Sequence, residues 1–99
     1  MSDDFRVHLR RRLIECDVPV TLHDGLIEYL AARRPVGEFL TAVLKNDLRN
    51  AVVRADARSS LALRQIVLFL HNYAGADAWG SPAVVAAWLA DPQPAPEIL

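Results

Sequence analysis

The residues of this chain best suited to chemistry are an aromatic corner, Trp79-Gly80-Ser81-Pro82, and an arginine run, Arg10-Arg11-Arg12 with Arg6 one turn earlier. Serine followed by proline marks a helix start. The hydroxyl accepts from orphan first-turn amides, and proline at the first helical position forfeits no hydrogen bond. The apolar run from Ala83 to Leu89 supplies the helix. Trp79 therefore stands at a positive helix end, where anions are held. Two roles compete for it. One is packing, with a large aromatic closing a small core. The other is recognition, with the indole face for a base, helix-start amides for phosphate and an arginine alongside. Packing is the preferred reading. Recognition requires Trp79 open to a cavity, free first-turn amides and an arginine within reach.

Polar groups set into apolar helical stretches, Asn46-Asp47, Asn50 and His71-Asn72-Tyr73, pose the same choice. Asn and Asp compete with the helix backbone, so a break, a buried network or a ligand explains them. The candidate ligand-binding set is Trp79, Ser81, Asn46, Asp47, Asn72 and Arg34. Arg6, Arg10, Arg11 and Arg12 form a second candidate set, for phosphate or an acidic partner, because guanidinium forks match such groups. The plainer reading is a solvated helix face balanced by Asp3, Asp4 and Glu15, and it is favoured because consecutive helical residues fan out.

Other chemistry finds little purchase. His8, His23 and His71 lack ligand spacing, so no metal is expected. Cys16 lies between Glu15 and Asp17, which raise a thiol's pKa. No Gly-x-Ser-x-Gly or glycine-rich phosphate loop occurs. The chain is read as no enzyme and as needing no cofactor.

The elements that must position these residues are helical. Phe5, Leu9, Leu13 and Cys16 form one face of a helix over 3–16, capped by Ser2 or Asp3. Asp17 to Val20 breaks it at Pro19. Thr21 is expected to cap a second helix, 22–33, with Leu22, Leu26, Ile27, Tyr29 and Leu30 inward. Phe39, Leu40, Val43, Leu44, Leu48, Ala51, Val52 and Ala55 make a stripe over 36–55. A bend is predicted at Asn46-Asp47, with Asp47 capping the second piece. After a connection at 56–60, a helix over 60–73 carries Ile66 to Leu70, apolar all round. Gly75 is the expected helix ender. The last helix is 82–90, and Asp91-Pro92 ends it.

These elements make an all-α fold: a compact bundle of four to five short helices, with 1–91 as one domain and 92–99 as a Pro-rich flexible tail. Ninety-nine residues, 53% of them hydrophobic, are enough for one core. The apolar helix over 60–73 predicts a homo-oligomer. All eleven Lys and Arg fall within 1–64, yet the net charge is −1, unlike a general nucleic-acid binder. A single cysteine, no apolar leader and no long apolar run predict a cytosolic chain that does not enter a membrane.

Pro35-Val36-Gly37-Glu38-Phe39-Leu40, Lys45-Asn46-Asp47-Leu48, Ile66 to Asn72, and Trp79-Gly80-Ser81-Pro82 with Val85 and Trp88 together resemble a family of small uncharacterised phage and prophage proteins. The resemblance runs from about Val18 to Leu89. His71 departs from it, standing where an aromatic precedes the asparagine. The resemblance implies a phage-type accessory protein of the host cytosol, with no assigned activity. The expected function is binding, for counter-defence or host modulation, by sequestering a nucleotide-like signal or blocking a host protein. The alternative is a nucleic-acid-binding accessory factor using the arginine cluster.

Overall fold

The computed structural model describes the backbone of residues 2–90 and the side chains of 4–90. The fold is all-helical, with no strand among the described residues. Among the described residues seven α-helices follow one another: α1 (Ser2–Glu15), α2 (His23–Ala32), α3 (Glu38–Leu44), α4 (Leu48–Arg54), α5 (Ala57–Leu61), α6 (Leu63–Tyr73) and α7 (Pro82–Ala90), with a 3-10 turn at Val20–Leu22 before α2. The count exceeds the expected four or five because the 36–55 stretch is divided in two and the connection at 56–60 is itself helical. The tail at 92–99 and the cap at Ser2 or Asp3 lie outside the described side chains.

One core joins them. Leu9 and Leu13 of α1 meet Leu26, Ile27 and Leu30 of α2, Leu40 and Leu44 of α3, and Ile66, Phe69 and Leu70 of α6. Their burial removes apolar surface from water, the main favourable term in folding. The α1 stripe buries Leu9 and Leu13 fully, while Cys16 is half-buried and Phe5 stays exposed.

Helix ends explain the turns. Asp17 adopts a left-handed conformation (φ 62°). Its amide donates to the Ile14 carbonyl and that of Val18 donates to Leu13, both at 3.0 Å. This is the Schellman pattern, completed by the buried Val18. Asn46 repeats it (φ 62°), with its own amide on Val43 and that of Asp47 on Ala42 at 2.8 Å. Arg33 ends α2 in the same region (φ 57°). The predicted break at Asn46-Asp47 is therefore present, and the Asp47 carboxylate caps α4 by accepting from the Asn50 amide at 3.2 Å.

Several expectations need correction. Thr21 does not cap α2; it sits inside the 3-10 turn, and Leu22 at the cap position offers no side-chain acceptor. The stripe over 36–55 does not bury as one face. The Asn46 turn redirects the chain, leaving Leu48 68% and Val52 52% exposed. The connection at 56–60 is largely helical, since the Asp56 carboxylate accepts from the Ser59 amide at 2.7 Å and starts α5. The next helix consequently begins at Leu63, after Ala62 breaks the run. Gly75 does not end α6 by left-handed geometry; Ala74 does so in extended conformation. Ile66 to Leu70 is not buried all round: Ile66, Phe69 and Leu70 face the core, whereas Val67 and Leu68 face outward.

Candidate binding site at Trp79

The corner at Trp79 is clamped from two sides. The Tyr29 hydroxyl donates to the Ala78 carbonyl at 2.5 Å, and the Gly80 amide donates to the Leu44 carbonyl at 2.7 Å. Gly80 takes a φ of 123°, a region that L side chains avoid, so glycine is required there. Ser81 caps α7 as its sequence context predicts, its hydroxyl accepting from the Val84 amide at 3.2 Å. Trp79 itself packs half-buried against the core.

On its open side Trp79 walls a cavity of about 100 Å³. Val43 closes it from α3, Asn46 and Asp47 from the turn, Leu48 and Ala51 from α4, and Leu63 and Val67 from α6. The fold thus brings Trp79, Asn46 and Asp47 to one place. Asp47 is fully engaged there: Asn50 donates from its amide nitrogen at 3.2 Å and from its side-chain nitrogen at 2.7 Å. Those hydrogen bonds hold its carboxyl below the ordinary range. No lysine or arginine lines this cavity.

The remaining candidates of that set lie elsewhere. Ser81 serves α7, Asn72 is exposed on α6, and Arg34 is exposed beside Glu28 at 3.8 Å. The arginine-over-tryptophan arrangement anticipated at Trp79 occurs instead at Trp88. The Arg33 guanidinium stacks 3.8 Å from that ring's centre, and the Trp88 indole N–H donates to the Tyr29 carbonyl at 2.8 Å. Two signals were present in the sequence for this pair, a cation at the end of α2 and a tryptophan in the last helix, but nothing in their spacing joined them.

The arginine run divides among partners. Arg6 forks onto Glu28 at 2.9 and 3.0 Å, Arg10 meets Asp24 at 2.6 Å, and Arg12 meets Glu15 at 2.7 Å. Arg12 also lies 5.3 Å from the centre of the Tyr73 ring. Among the described side chains the balancing carboxylates are Glu28 and Asp24 of α2 and Glu15 of the anticipated trio, whose Asp3 lies outside the described side chains. Among the described residues Arg11 has no acidic partner.

No group of three metal-ligating side chains occurs among the described residues. His23 is buried with its Nε2 2.8 Å from the Val18 carbonyl, which can only accept, so the ring donates there. Burial, then Glu15, push the Cys16 thiol up, outweighing Arg12 and disfavouring the thiolate. No described helix is long and apolar enough to cross a membrane. In comparisons with known proteins, no family model, curated protein or solved structure matches the chain.

Proposed function

We propose that this chain is a non-enzymatic binding protein that works as a homo-oligomer and blocks a partner protein, in the phage-type accessory setting its resemblance implies. The observation that carries this reading is the Trp79 cavity: small, without a basic group, and rimmed by exposed apolar side chains. Small-molecule pockets span roughly 300–1,000 Å³, and a nucleotide needs cations for its phosphates. A cavity of about 100 Å³ with no lysine or arginine meets neither need. Sequestration of a nucleotide at this corner therefore has less support than the blocking version.

The cavity suits one aliphatic side chain, about three times the volume a water occupies. Leu48, 68% exposed, stands at its rim. A two-fold axis through this surface places Leu48 of each copy at the cavity of the other, the reciprocal contact of an isologous dimer. Asp47, the one ionisable group in the wall, stays a carboxylate, since Asn50 is neutral and its hydrogen bonds favour the charged form; nearby Arg49 and Lys45 offset that charge where the two copies would meet.

Sedimentation velocity across the micromolar range tests the assembly. The wild-type chain is expected as a dimer and Leu48→Asp as a helical monomer. Titration calorimetry with cyclic dinucleotides should give no binding heat. A strictly monomeric wild type overturns the dimer, and tight dinucleotide binding overturns the blocking mode.

A further inference from the structure

The outer face of α1 has no role in the core, and its chemistry is mixed. Leu9 and Leu13 satisfy the inward side. Val7, Arg10, Arg11 and Ile14 follow the i, i+3, i+4, i+7 spacing that aligns side chains on one helical stripe. Val7 is 57% and Ile14 63% exposed, and the four residues line a shallow groove with Arg6 and Glu15. Arg11 has no acidic partner among the described residues, and the Arg10–Asp24 pair is solvent-exposed and so weakly held.

We propose that this face docks an acidic amphipathic helix of a partner protein, whose apolar side chains meet Val7 and Ile14 and whose carboxylates meet Arg10 and Arg11. The proposal rests on the binding-protein reading above and supplies the chemistry of the blocked partner. Charge decides the occupant. A parallel copy stacks like arginines on each other, and an antiparallel copy sets Arg10 against Arg11 of its mate; the Arg6–Glu15 facing that the antiparallel register also brings offsets this little, because Arg6 already forks onto Glu28 and Glu15 already pairs with Arg12. Phosphate backbones reward cations but give exposed valine and isoleucine nothing to pack on. An acidic helix with apolar residues one heptad apart satisfies all four side chains at once.

The test uses a labelled three-heptad synthetic helix with leucines at heptad spacing and glutamates beside them, read by fluorescence anisotropy. The wild-type chain should bind it, and both Arg11→Glu and Ile14→Asp should weaken binding by about tenfold or more, since truncating a central contact commonly costs that much. Replacing the facing glutamates with lysine should restore binding to Arg11→Glu. Both substitutions are at exposed positions, and circular dichroism verifies that helix content is retained. Absence of binding at millimolar peptide, or equal binding by a glutamate helix without leucines, overturns the proposal. Displacement of the peptide by duplex DNA or by phosphatidylserine vesicles at lower concentration also overturns it, in favour of a phosphate surface. Sedimentation of the same samples reports the dimer separately, so failure here is distinguishable from failure of the assembly.

Discussion

Tyr29 does more than fill space. Its hydroxyl holds the Trp79 corner through Ala78, its carbonyl takes the Trp88 indole N–H, and its ring lies 6.2 Å from that of Trp88. One residue of α2 thereby fixes both the loop before α7 and α7 itself. Burial pushes the phenol from 10 up to about 12. The folded pKa lies above the unfolded one, so this contribution is complete below pH 10 and is lost as pH rises through 12. Thermal melts of the wild type should therefore fall steadily over that window. Tyr29→Phe should be flatter there and less stable at neutral pH by about 1–2 kcal/mol, because the buried Ala78 carbonyl loses its donor. Equal pH dependence of the two proteins would place the alkaline loss elsewhere.

The first three helices, α1, α2 and α3, stop on left-handed residues that are not glycine: Asp17, Arg33 and Asn46. All three helix ends fall where the sequence places them. Nothing marks Arg33 as a left-handed residue, but Pro19 breaks the chain after Asp17, and at Asn46-Asp47 the Asn tolerates that conformation and the following Asp caps. The same turn explains the least legible feature of the surface. The apolar stripe continues unbroken across Asn46, so its spacing predicts burial for Leu48 and Val52, but the turn resets the direction of α4 and leaves them outside. The candidate site was legible to a similar degree. Trp79, Asn46 and Asp47 meet because α3 and the Trp79 corner are joined through Gly80 and Leu44, a contact between residues distant in sequence. Ser81 was readable because its partner is three residues away. Two substitutions test the turn chemistry by denaturant unfolding. Asp17→Gly should stabilise by about 0.5–1 kcal/mol, relieving a left-handed aspartate. Asn46→Val should destabilise by about 1–2 kcal/mol, since a β-branched side chain is poorly tolerated there. A neutral result for both would mean that the turns are set by packing alone.

At the scale of the whole molecule two of the surfaces that carry exposed apolar residues differ in charge. The Leu48–Val67 side beside Trp79 has one charged group in its cavity wall, Asp47 with Arg49 and Lys45 near it, whereas the outer face of α1 presents Arg10 and Arg11 between Val7 and Ile14. The proposed dimer contact and the proposed partner site use different helices and should be separable. Mass action makes the assembly measurable through stability, because a contact that exists only in the folded dimer raises the melting temperature as protein concentration rises. The wild-type melting temperature should climb with concentration across the micromolar range. Leu48→Asp should melt at one temperature throughout, equal to the dilute limit of the wild type, since Leu48 contributes little to its own protomer's core. The same variant should bind the acidic helix with unchanged affinity per protomer. A melting temperature independent of concentration in the wild type would remove the dimer while leaving the α1 surface standing. A loss of helix binding in Leu48→Asp would show instead that the α1 surface is complete only in the assembled molecule.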